Sequence, residues 1–233
     1  MTAATFSSTM TQRDWNATLG VLGIIAFGIA CQWILFVTLK VPLPSGQIAS
    51  MAITTFWQTL MLVAVPYLWA VKRLGMNLAD LGLSRHGLGI STVLGCGLYL
   101  IALVAFVHCS GGSLISQHAV RTASATDASM LVALMGIIAA GTDLTTRGFV
   151  LLTLTRHTHV VFAILMQNLI WYLGHIHEIN LLSDCLGMAL ATSLTLTLGI
   201  LGDMIVLRTK NVIGLAIAHF MLNIVLSIYI RQL

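Results

Sequence analysis

Asp143 and Arg147 stand inside a long apolar stretch, within Gly141-Thr-Asp-Leu-Thr-Thr-Arg-Gly-Phe149. An unpaired charge at the centre of a membrane-spanning helix costs about 2.5–3.5 kcal/mol on insertion scales. Both groups are therefore expected to turn into a helix bundle. Their i, i+4 spacing puts them on one helical face, where they can pair. Two further polar clusters follow. One is Trp171-Tyr-Leu-Gly-His175 with His177 just beyond it, and the other is His219-Phe-Met-Leu-Asn223, again spaced i, i+4. A carboxylate and imidazoles support two kinds of chemistry. His175 or His219 can serve as a base oriented by Asp143. Alternatively, His175, His219 and Asp143 can hold a divalent metal through two imidazoles and one carboxylate. The bland reading of the same residues is internal glue between helices.

The elements that position these groups are apolar runs near the roughly 20 residues that a bilayer core requires. Seven are read, at approximately 19–39, 48–71, 88–108, 128–153, 160–177, 184–206 and 212–230. The fold expected is an all-α polytopic membrane bundle of about seven transmembrane helices, with segments four, five and seven enclosing a polar cavity. At a 1.5 Å rise per residue, Asp143, His175, His219 and Asn223 lie roughly 10–22 Å from the ends of their helices, so they can meet near mid-membrane. Residues 1–18 read as a polar arm and 19–233 as one transmembrane domain. Pro42 and Pro44 bound the first loop, and Pro66 is expected to kink the second segment. Glu178 falls in the loop expected after His177.

Only 8% of the 233 residues are charged and 58% are hydrophobic, where soluble domains carry about 25% charged residues. The net charge of +4 is small and scattered, which argues against a nucleic-acid surface. Seven helices place Arg13, Lys72, Arg73, Arg85, Arg156, Arg208 and Lys210 on one side of the membrane and Lys40, Arg121 and Arg231 on the other. That excess implies a cytoplasmic N-terminus. Cys31, Cys96, Cys109 and Cys185 show no metal spacing and read as buried free thiols. The eight histidines permit pigment or haem ligation in principle; the loop histidines His157 and His159 read as solvated groups.

The order of the three clusters resembles the CPBP family of intramembrane proteases, which includes CAAX proteases and bacteriocin-processing enzymes. That family carries Glu-Glu-x-x-x-Arg-Gly, then Phe-x-x-x-His, then His-x-x-x-Asn. Here Arg147-Gly148 is followed by Phe149, Trp171 takes the aromatic slot before His175, and His219-x-x-x-Asn223 is complete. The run Leu198 to Gly214 resembles the family's glycine-bearing helix and basic turn, and Asp80-Leu-Gly-Leu83 its loop before the core. The resemblance covers about 78–230. It implies that the first motif glutamate activates the attacking water and that the histidines bind it or stabilise the oxyanion.

The two motif glutamates fall on Thr142 and Asp143. Threonine cannot act as a general base near neutral pH. Asp143 lies one residue on, about 100° around the helix. The expectation is therefore a CPBP-like protein without catalysis, serving as a binding, assembly or accessory subunit of a membrane complex. The alternative is an active endopeptidase using Asp143, His175, His219 and Asn223, with Thr142, Arg147, Trp171 and His177 shaping the cavity. No cofactor is expected, and a divalent metal enters only if the site is active. The expected partners are the lipid bilayer and another membrane protein or transmembrane helix, with no nucleic acid, in a bacterial-type inner membrane.

Overall fold

The computed structural model describes residues 11–34, 46–110 and 125–232. Lys40, Pro42, Pro44, His118, Arg121 and the first ten residues lie outside this range, as does the Arg231 side chain.

The described residues form helices and connecting turns, with no strand among them. In chain order they are α1 (Gln12–Trp33), α2 (Gln47–Gln58), α3 (Val65–Leu74), α4 (Leu88–Ser110), α5 (Ala125–Asp143), α6 (Leu152–His157), α7 (Val160–Gly174), α8 (Ile176–Leu186), α9 (Met188–Thr209) and α10 (Ile213–Gln232). Five helical runs among the described residues are long and apolar enough to cross a membrane, or six if the bent pair α7–α8 is one span. The apolar part of α10, Ile213–Val225, is shorter. The molecule is an all-α membrane bundle. Its outer surface is greasy, as a bilayer solvent demands: Val93 is 71% exposed, Phe56 67% and Leu190 63%.

Three boundaries correct the sequence reading. The first helix starts at Gln12, inside the expected arm, because Thr11 and Asp14 form a reciprocal cap. The fifth segment does not run to 177. It breaks at His175, whose φ of −114° and ψ of 15° leave the helical region, and α8 departs at 75°. The sixth segment starts at Met188, after Gly187 at φ +78°, rather than at 184. The thiols differ from expectation too: Cys96 and Cys185 are exposed and Cys31 and Cys109 half-buried. His157 ends α6 with its Nδ1 3.1 Å from Asp14 Oδ1, so it is paired and not a solvated loop group.

Two stretches wind as π-helix, Thr59–Ala64 between α2 and α3, and Leu144–Leu151 between α5 and α6. A π-turn widens the ring of backbone hydrogen bonds and is costly without outside partners. Here the second stretch finds partners in and beside the first. The Thr145 hydroxyl donates to Leu62 O at 2.7 Å, and Tyr67 Oη donates to Leu144 O at 3.0 Å. Pro66, expected to kink its helix, directly follows the first π stretch, and the Leu62 carbonyl four residues before it, which a proline cannot serve, accepts from Thr145 instead. Gly148 lies so close to Tyr67 Oη that a side chain there would overlap it.

The core gathers on the second π stretch, around Phe149, Leu151, Leu154, Leu81, Val206 and Leu215. At one end of the bundle Asn211 ties the loop before α4 to the turn before α10. Its amide donates to Ser84 O and His86 O, and its Oδ1 accepts from Gly214 N at 2.9 Å. α10 packs chiefly on α4 and α5, which sets His219 opposite Tyr99 and Asp143.

Candidate functional site

Asp143 closes α5 and is fully buried, as is Arg147 one turn on. The two form an ion pair. Tyr99 Oη, from α4, reaches both carboxylate oxygens at 2.9 and 3.2 Å. His219 Nδ1, from α10, lies 3.0 Å from Asp143 Oδ2. Three side chains thus engage both oxygens of one carboxylate.

Arg147 is equally committed. Its Nη2 donates to Gly199 O at 3.3 Å. Its Nε lies 3.3 Å from Asp203 Oδ1, an ion contact without hydrogen-bond alignment. Its guanidinium lies over the Trp171 ring, 4.1 Å from the centroid. Gly202 makes room for this: a Cβ there would sit 2.6 Å from the guanidinium nitrogens. Asp203 is anchored in turn by Asn168 Nδ2 at 2.6 Å. An acid pair bridged by one arginine is how a fully dry bundle interior holds charge.

The histidines stack on aromatic rings. His175 lies 3.8 Å from Trp171 between centroids, and His219 4.4 Å from Tyr99. The two imidazoles are 6.4 Å apart. His175 Nδ1 meets Trp171 O at 2.8 Å, a contact that requires the proton on Nδ1 and leaves Nε2 as an acceptor. A small cavity of about 60 Å³ touches both histidines, Tyr99, Trp171 and Glu178.

Asp143, Arg147, Trp171, His175 and His219 are therefore brought together. Thr142 is not. It is half-buried, donates its hydroxyl to Ile138 O at 3.0 Å, and lines a separate, larger cavity of about 450 Å³. That cavity lies between α1, the first π stretch, α5 and α7, with Ile25, Gln58, Leu62, Ile170 and Leu173 in its wall. Asn223 donates its amide to His219 O at 3.1 Å, holding the backbone of α10; it is not in the wall of the histidine cavity. His177, expected beside the cavity, is exposed on α8 because the chain turns at His175. Glu178, expected in a loop, sits in the first turn of α8, three residues beyond His175.

Among the described residues no group of three His, Cys, Asp or Glu side chains is arranged to hold a metal ion. The combination of Asp143 with the two histidines does not fit one: both Asp143 oxygens are engaged by Arg147, Tyr99 and His219, and His219 turns Nδ1 toward the carboxylate rather than toward a shared centre with His175.

Four site residues escaped the sequence reading: Tyr99, Asn168, Glu178 and Asp203. Asp203 carried a usable signal, since an acid inside an apolar span is functional or paired by default. Tyr99 and Asn168 carried none that separates them from ordinary core positions.

Residues 124–225 match a family described as Type II CAAX prenyl endopeptidase Rce1-like. No curated protein and no solved structure matches the chain. The match spans α5 through α10 up to Val225, and so contains every element of the buried cluster except α4. The chain is a helical membrane protein whose residues 124–225 are similar to the Rce1-like family.

Proposed function

We propose that this protein binds an apolar, membrane-embedded segment of a partner protein without cleaving it. The observation that carries the proposal is the state of the two positions where the family has glutamate. Asp143 is fully buried with its oxygens engaged by Arg147, Tyr99 and His219. A carboxylate held by a guanidinium is a poor base, because pairing stabilises its ionised form. Thr142 supplies no base at all, and the cavity it lines is walled mainly by aliphatic side chains. A cavity of that size accommodates an isoprenoid-like or aliphatic chain. The endopeptidase alternative, with Asp143 acting beside His175 and His219, would require breaking the Arg147 pair first.

Localisation in a bacterial-type inner membrane, with the N-terminus in the cytoplasm, is part of this reading. It is supported by the bias in basic residues.

The test uses the full chain in lipid nanodiscs with a prenylated CAAX peptide and membrane-tethered peptide reporters. The expected result is saturable binding of an apolar reporter with no cleavage product. Binding is lost in Gly141→Leu, which fills the cavity on the side where a Cβ at position 141 would lie 3.6 Å from Val63. Cleavage by the wild type, or binding unaffected by filling the cavity, would overturn the proposal.

A further inference from the structure

Two acids beside the buried cluster, Asp203 and Glu178, lie outside the family motifs. Asp203 is accounted for by Arg147 and Asn168. Glu178 is not. Its Oε2 is buried without a hydrogen-bond partner, and the residue lines the 60 Å³ cavity together with His175 and His219.

Three polar groups of that cavity, His175, His219 and Glu178, have an acceptor to offer. His175 uses Nδ1 on Trp171 O, and His219 uses Nδ1 on Asp143. Each neutral ring then keeps Nε2 as a lone-pair acceptor. The Tyr99 hydroxyl donates to Asp143, and the Thr195 hydroxyl donates to Ala191 O at 2.9 Å. The indole N–H of Trp171 is buried without a hydrogen-bond partner and lies on the Gly199 side of the ring, where Asn168 Oδ1 also lies. What remains for an occupant is two imidazole nitrogens and one carboxylate. The charge count agrees. Asp143, Asp203 and Glu178 bring three carboxylates to this part of the bundle, and Arg147 brings one guanidinium. With neutral histidines, an ammonium in this cavity would have the Glu178 carboxylate as its counter-charge.

We propose that this cavity is a binding site for a primary ammonium group, the head of a lysine side chain or of a small amine. An ammonium presents three donors and no acceptor, which matches the two imidazole nitrogens and the Glu178 carboxylate. A cavity of about 60 Å³ is the size of the head group and not of a whole metabolite. The site stands apart from the cavity beside Thr142 and does not depend on what that cavity holds.

The full chain in nanodiscs is titrated calorimetrically with methylammonium chloride, against potassium chloride at equal ionic strength. The expected result is saturable methylammonium binding that weakens at least tenfold in Glu178→Gln. Ala105→Leu, which fills the cavity wall without touching a charge, abolishes it; this second variant keeps the test decisive if Glu178→Gln fails to fold. A transmembrane peptide with one central lysine then separates the two sources. Displacement of methylammonium by it, and not by a leucine version, assigns the ammonium to a partner helix. No displacement assigns the site to a small free amine. No saturable binding, or equal binding in wild type and Glu178→Gln, overturns the proposal. So does Zn²⁺ binding that requires Glu178 where methylammonium does not bind. Peptide cleavage lost in Glu178→Gln overturns it as well, since Glu178 would then be a base.

Discussion

At the scale of the residue, Arg147 is the side chain with most to lose. It pairs with Asp143, contacts Asp203, donates to Gly199 O and covers the Trp171 face. A guanidinium meets four partners in fixed directions, and an ammonium cannot. Arg147→Lys should keep the charge, lose the planar contacts, and destabilise the protein. Removing the charge altogether should cost about 3–5 kcal/mol, because two buried carboxylates are left uncompensated. Thermal unfolding of the three proteins in the same nanodisc should rank wild type above Arg147→Lys above Arg147→Met. Equal midpoints would mean that the acids are not carried by Arg147. Much of this cluster was legible in the sequence. Asp143 and Arg147 announced themselves by the cost of burying charge and by their i, i+4 spacing, and His219 by its own spacing to Asn223. The same cost argument applies to Asp203, at 0% exposure within α9. Tyr99 was silent, because a tyrosine in an apolar helix reads as core until its hydroxyl is seen to meet a carboxylate.

At the scale of the element, the two π-helical stretches are the least obvious feature of the chain and hold the site in register. Leu144–Leu151 carries Arg147, and its Leu144 carbonyl accepts an additional hydrogen bond from Tyr67. Tyr67→Phe removes that donor, and one such hydrogen bond contributes about 0.5–1.5 kcal/mol. The variant should unfold earlier, and hydrogen exchange should rise first in Leu144–Leu151. Faster exchange everywhere else instead would place the weak point outside the π stretches. No local pattern in Leu-Thr-Thr-Arg-Gly-Phe-Val-Leu signals a π-helix. The winding is stabilised by Tyr67 and Leu62, 77 and 83 residues away from their partners in sequence. The break at His175 was likewise hidden. Apolar residues continue on both sides of it, so Glu178 was assigned to a loop although it opens α8.

Outside the membrane, the short turn Leu78–Leu81 offers a pH test. Asp80 is held below the ordinary carboxyl value of 3.8, first by the Asn77 backbone amide and also by Arg156. A carboxylate with a depressed folded pKa stabilises the fold above its unfolded pKa. That contribution should fade as pH drops below about 4 through the folded value. Asp80→Asn should lower stability slightly at pH 7 and not at all at the acid end. A difference that persists at pH 2 would assign the effect to packing instead.

At the scale of the whole molecule, the bundle separates two interiors on either side of α7. One is the cavity beside Thr142, mostly aliphatic; the other is the small histidine cavity with Glu178. In the family that the sequence resembles, the first motif glutamate and the histidines act on one water. Here Thr142 and the histidines face different spaces, and the acid that follows Thr142 is locked by an arginine. The overall architecture was legible, because greasy runs of spanning length leave few alternatives to a helical membrane bundle. The split between the two interiors was not, because it depends on side-chain direction around the π stretch.

The most direct measurement compares wild type and Asp143→Asn in lipid nanodiscs, scoring cleavage of the reporter panel and thermal unfolding on the same samples. Neither protein should release a cleavage product. The variant should lose about 3–5 kcal/mol of stability, as when a buried ion pair loses one partner. Cleavage by the wild type that vanishes in Asp143→Asn, with unfolding unchanged, would make Asp143 a catalytic group and not the anchor of a buried charge network.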